Sequence, residues 1–507
     1  MPDPSDRERA AHQVESEIEE LGDPEAAPAL PSTTLAAAAT APAREDDAAP
    51  SAPVSPSTTG EILRLAWPVM LTGALVSMAG LIDRAMIGRL EFDGGAAIPL
   101  AAVGFATQFF FLIQSTLFAI GLSCVALMAR ALGAGDPARA RQALSASLQV
   151  TIVVTAVLML ATLTGGERAL EFLGAEPAVI EAALPYLRLV IGSSLFLGLS
   201  LTFDSALRAN RDTRTPMWIA MVGTVVKLFF NWVLIFGNLG APRLELVGAG
   251  LATVISQLVT LLLFGIVFAR QHPDSPLSVR AATFFQRNEL RRDVIRVAVP
   301  GIAERLVMNL ALLAYFWVLG RYYGTVSVAA YTVGVALLSF TWIPGQGYAT
   351  ACATLVGQAL GAGDPDTATR TGWRSAGLAL VTAVLLGAIF AWARYPLARL
   401  FTDDVQVVEA LGPFMLTLAI AQPFLQLHFT LGGAHRGAGD TTTPLVAATL
   451  GNWALRVPLA IFFAVWLEAD VIWIWITIIF DHVARSLWLL RSFRRGKWRT
   501  RLERAGR

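Results

Sequence analysis

The chain has 507 residues, of which 55% are hydrophobic and only 15% charged, with a formal net charge of +1. Its mean hydropathy is positive, which excludes an ordinary soluble globular domain. The two cysteines, Cys124 and Cys352, both lie in apolar runs, so neither a disulfide framework nor a thiolate metal site is expected.

In chain order, residues 1–57 come first and differ from everything after them. They are rich in Ala, Pro, Ser, Asp and Glu. No charged-then-apolar leader pattern occurs, so the stretch predicts a disordered cytoplasmic tail with one short acidic helix near Gln13–Leu21. Long uncharged runs then recur, among them Gly94–Ala129, Gln142–Gly166, Leu246–Ala269, Tyr322–Gly363 and Ser375–Ala393. Each exceeds the roughly 18–20 residues that carry a helix across a bilayer core. Lipid admits only helices or closed barrels, and the ten-residue alternation of barrel strands is absent. The expectation is an all-α membrane protein. The first half gives spans near 61–89, 97–133, 138–165, 178–208, 214–238 and 246–270, and the second near 290–321, 326–361, 367–394, 405–436, 442–467 and 470–492.

The halves repeat. "ALGAGDP" at Ala131–Pro137 returns 228 residues later at Ala359–Pro365, and "DTRTP" at Asp212–Pro216 returns as "DTTTP" at Asp440–Pro444 with the same offset. Cys124 and Cys352 share that offset, while Pro68 and Pro300 are 232 apart. Turn-forming Gly-Asp-Pro explains each motif but not their common register. Six spans per half is an even number, so both halves enter the membrane from one side and form parallel repeats about an axis along the membrane normal. The implied divisions are a tail (1–57), an amino-terminal six-helix lobe (58–275), a cytoplasmic linker (276–289), a carboxy-terminal six-helix lobe (290–495) and a basic tail (496–507). Loops after even spans and the basic tail collect most of the arginines, whereas loops after odd spans hold few. The excess of positive charge on the inner side then puts both termini in the cytoplasm, at the inner (plasma) membrane. The tail reads as a lipid-surface anchor rather than a nucleic-acid binder.

Several stretches, taken in order, resemble the MATE (multidrug and toxic compound extrusion) transporters. They are "LIDRAMIGRL" in the first span, "ALGAGDPARARQAL" after the second, "LRANRDTRTPM" into the fifth, "VGAGLATVISQ" in the sixth, "FTWIPGQGYATACATLVGQALGAGDP" in the eighth and "GAHRGAGDTTTPL" into the eleventh. The resemblance covers about residues 60–495. It implies twelve helices in two lobes around a central cleft, and export of cationic or amphipathic small molecules in exchange for H⁺ or Na⁺ by alternating access. No phosphate-binding loop of an ATP motor occurs. The expectation is therefore a secondary antiporter, not an enzyme, acting as a monomer without a cofactor. A lipid-linked precursor flippase and an uncoupled channel or receptor are the alternatives.

Ion coupling requires a titratable group inside the membrane. In the amino-terminal half the deep candidates are Asp83 and Lys227, one of only two lysines in the chain. Asn231 is one turn from Lys227 on the same helix face, at about the depth of Asp83. The resemblance puts Asp83 at the acidic position of the first span. It puts Asn231 where one branch of the family often has a second acid, Lys227 where that branch often has asparagine, and Thr253 at the threonine that completes its cation site. An ammonium in the cation's place favours H⁺ over Na⁺. Unlike arginine, lysine gives up its proton when buried, which distinguishes a proton-responsive Asp83–Lys227 pair from a permanent structural one. In the second half Glu304 is a further coupling candidate, with Arg456 as a candidate structural partner. Asn309, Gln346 and Asn452 are candidates for lining the cleft, although polar groups also join helices to one another.

Overall fold

The computed structural model describes residues 58–87, 97–172, 176–279, 284, 288–399 and 405–500. The expected disordered tail with its acidic helix, and residues 501–507 of the basic tail, lie outside the described residues. Among the described residues there are twelve helices long and apolar enough to cross a membrane. They are α1 (Thr59–Ile87), α2 (Ala97–Gly133), α3 (Pro137–Phe172), α4 (Pro177–Ala209), α5 (Arg214–Phe236) and α6 (Glu245–Ala269), then α7 (Leu290–Tyr322), α8 (Gly324–Gly361), α9 (Pro365–Trp392), α10 (Val405–Gly437), α11 (Thr442–Trp466) and α12 (Val471–Arg495). The protein is a multi-pass membrane protein built of helices.

Local chemistry sets the helix ends. Gly135 and Gly363 adopt φ of 71° and 75°, a left-handed conformation that glycine takes without strain, and each is followed by Asp-Pro. Asp136 and Asp364 each accept from the backbone N–H three residues on, Arg139 and Thr367, both at 2.8 Å. Pro137 and Pro365 then open α3 and α9, where a missing N–H costs nothing. The second turn repeats as well: Asp212 and Asp440 accept from the amides of Thr215 and Thr443, at 3.0 and 3.2 Å. Each of these pairs is 228 residues apart.

Two helices are irregular. α4 is broken at Ser193, between Pro177–Gly192 and Ser194–Ala209. α11 carries π-helical turns at Leu450–Arg456 and Phe462–Trp466. A short helix, Arg394–Arg399, lies between α9 and α10.

Helices of the first half meet those of the second along one seam, α1 and α2 against α8 and α2 and α3 against α7. Glycines let the backbones approach. A Cβ on Gly133 would overlap the Gln358 carbonyl, and one on Gly361 would overlap that of Arg130. Gly133 and Gly361, like Arg130 and Gln358, are 228 apart, so the contact is reciprocal about a two-fold axis. Side chains reinforce it. Arg211 donates to Glu61 Oε1 at 2.6 Å and also to Gln358 Oε1. Gln358 Nε2 donates to the Ala209 carbonyl at 2.8 Å, and Thr354 Oγ1 donates to the Arg208 carbonyl at 3.1 Å. The two halves are thus locked together at their arginine-rich end.

Candidate ion-coupling site and cleft

Asp83 lies one turn before the end of α1, facing α5. Lys227 Nζ donates to its Oδ2 at 3.0 Å and Asn231 Nδ2 to its Oδ1 at 2.6 Å. Each carboxylate oxygen therefore has one donor, and the one-turn spacing of Lys227 and Asn231 on α5 makes this possible. The Lys227 and Asp83 side chains keep 25% and 16% of their surface, whereas Asn231 is fully buried. Asn231 Oδ1 is buried without a hydrogen-bond partner. Tyr186 of α4, also buried, interacts with the Asp83 charge. Thr253 spends its hydroxyl on the Ala249 carbonyl of its own helix, at 3.0 Å, rather than on the cluster.

In the second half Glu304 pairs with Arg436 of α10 at 2.6 Å. Its partner is therefore not Arg456. Arg456 instead donates to the Tyr331 hydroxyl at 2.9 Å, lies over the Tyr315 ring at 4.3 Å and approaches Asp481 at 3.8 Å. The π turn at Leu450–Arg456 explains the difference. A π turn holds more residues than an α turn and rotates the rest of the helix about its axis, carrying Arg456 toward α12. Arg485 grips Asp481 from one turn away on α12. Asn452 is buried and donates to the Ala448 carbonyl at 3.0 Å. Asn309 and Gln346 stand partly buried on α7 and α8.

One pair was not singled out from the sequence. Asp204 and Arg208 of α4 bond at 2.7 Å and line a pocket between α2, α4 and α8 with Phe118, Ser205 and Thr350. Their four-residue spacing was the available signal. The repeat carried another, because Arg208 and Arg436 are 228 apart and each pairs with a carboxylate.

The MatE family model matches residues 68–233 and again 300–462, one copy in each half. The probable multidrug resistance protein NorM of Thermotoga maritima is 27% identical over 450 residues, covering 88% of this chain and 94% of that protein. The probable multidrug resistance protein NorM of Bradyrhizobium diazoefficiens is 32% identical over 427 residues, covering 82% and 89%. Among solved structures, an outward-facing multidrug resistance MATE family transporter of the MOP superfamily aligns with a TM-score of 0.80 at 21% identity, covering 86% of this chain and 96% of that one.

Proposed function

The chain belongs to the MatE family of transporters, and from that premise we propose that it exports cationic or amphipathic small molecules in exchange for H⁺ by alternating access. The observation that carries this reading is the Asp83–Lys227 ion pair at 3.0 Å, bridging α1 and α5 within the membrane-spanning part of the chain. A Na⁺ ion at Asp83 would have to displace an ammonium already bound there, whereas a proton needs no such vacancy. Protonation of Asp83 removes the charge that holds Lys227. Asn231 Oδ1, buried without a hydrogen-bond partner, can accept the new O–H once the amide turns over. Helices α1 and α5 thus have two arrangements that differ by one proton, as coupled exchange requires.

The same reading takes the two six-helix halves as lobes that rock about the seam, with a single chain as the working unit. The arginine distribution supports placing both termini in the cytoplasm at the plasma membrane. Efflux from proteoliposomes with separately imposed gradients tests the coupling. A pH gradient should drive export of a fluorescent cation in Na⁺-free buffer. Full export driven by a Na⁺ gradient at symmetric pH would replace H⁺ by Na⁺ in this scheme, with Glu304 as the next candidate site.

A further inference from the structure

The second half of the molecule holds more positive than negative charge in its interior. Glu304 and Arg436 neutralise each other. Asp481, fully buried, is shared by Arg485 and Arg456. Arg305 has no carboxylate within ion-pair distance among the described residues, and its guanidinium lies over the Phe118 ring, 4.9 Å from the centroid. Four guanidinium groups thus face Glu304 and Asp481 in this cluster, while the other buried carboxylate of this half, Asp440, is taken up by His435 at 3.2 Å. His428 Nε2 and His482 Nδ1 lie 3.1 Å apart in a hydrogen bond, and a histidine is neutral or cationic, so neither supplies the missing negative charge. Arg305, Arg436, Arg485, Glu304 and His428 line one pocket, with Phe429 on its wall. Arginine does not shed its proton to escape burial. The Nε of Arg436, which lines this pocket, is buried without an acceptor. An anion would match both the surplus charge and the open donor, and guanidinium groups bind carboxylate and phosphate through paired hydrogen bonds. The apolar neighbours Phe118, Met308 and Phe429 suit an attached hydrophobic body.

We propose that this pocket binds the carboxylate or phosphate of an amphipathic solute, so that the preferred cargo consists of acids and zwitterions rather than simple cations. The inference rests on the reading of the chain as an exporter, and it narrows the class of exported solutes. Arg305 reaches Phe118 of α2 from α7, so the bound anion would sit beside the seam between the halves.

Binding to the purified full-length protein tests this independently of transport, with 2-naphthoate and its neutral amide, 2-naphthamide, as probes in equilibrium dialysis. The acid should bind at least tenfold more tightly than the amide. Arg305→Gln should remove most of that preference, and Arg305→Lys should keep part of it. Because Arg305 has no ion-pair partner, its loss strands no carboxylate. Met308→Trp, which fills the pocket without changing charge, should weaken the acid selectively and serves if Arg305→Gln does not fold. Equal affinity for the two probes overturns the proposal, as does a preference unchanged in a folded Arg305→Gln or Met308→Trp protein. Inorganic phosphate or chloride that displaces naphthoate only at much higher concentration supports a substrate subsite. Displacement at equal concentration assigns the pocket to a free inorganic anion and overturns the assignment to cargo. Failure of gradient-driven efflux of both the fluorescent cation and 2-naphthoate, with the acid preference intact, counts against the exporter reading alone.

Discussion

Lys227 stands alone in an apolar stretch and Asp83 ends one that runs from Leu65, and a lone charge in such a setting costs a few kcal/mol even on insertion scales. Asp83→Asn leaves Lys227 with no carboxylate and should lower stability by about 2–3 kcal/mol while abolishing pH-driven export. Adding Lys227→Met should recover most of that stability, read as melting in detergent, without recovering coupling. Lys227→Arg keeps the charge but cannot release its proton, so export should fall at least tenfold in the proteoliposome assay; normal export with a normal pH profile would show that titration of Lys227 is unnecessary. These residues were legible in the sequence because the few charges inside the apolar spans can be counted without a structure. Arg436 was not, because an arginine one residue from the end of a helix reads as an ordinary interfacial charge until its packing against Glu304 is seen. Asp204 was masked in the same way by Arg208.

At the scale of helices, the twelve spans arise from runs of apolar residues bounded by charges, and the Gly-Asp-Pro turns place four of the ends. The break at Ser193 falls at Gly192-Ser193-Ser194, small residues that permit a kink without requiring one, and the π turns of α11 are changes of hydrogen-bond register within a span. The repeat hints at the second: the paired features from Cys124 to Pro216 keep an offset of 228, but Lys227 and Arg456 are 229 apart, and a π turn accommodates an extra residue. The caps can be tested directly. Asp364→Ala should cost about 1 kcal/mol, the usual value of such a cap. The hydroxyl and amide of Thr367 hold the Asp364 carboxylate below its ordinary pKa. Its folded-state pKa is therefore lower than its unfolded one. The stabilisation is complete above the unfolded value and disappears as pH falls through the folded value. The difference in melting between wild type and Asp364→Ala should be constant from about pH 6 to 8 and shrink below about pH 4.

For the whole molecule, α1 joins the two events that the proposed exchange requires. Near one end it carries Asp83, which in that scheme a proton releases from α5. Near the other it carries Glu61, which Arg211 ties to Gln358 across the seam. The reciprocal contact of Gly133 with Gln358 and of Gly361 with Arg130 closes the arginine-rich end, and it tolerates no larger residue because the opposing atoms are backbone. Gly361→Val should therefore shift the protein away from this closed arrangement rather than unfold it, since the halves need only separate at that end. Thr354, buried in the seam at 1% exposure, is a suitable reporter when replaced by cysteine. Cys124 and Cys352 can first be changed to serine or alanine, which should leave export intact because neither faces the pair or the pocket. In that background, maleimide labelling of the cysteine at position 354 should rise several-fold on adding Gly361→Val, and by less on adding Arg211→Gln, which removes a tie but no steric barrier. Unchanged labelling in both would mean that the seam is a fixed hinge, and the moving contact would then have to be sought elsewhere.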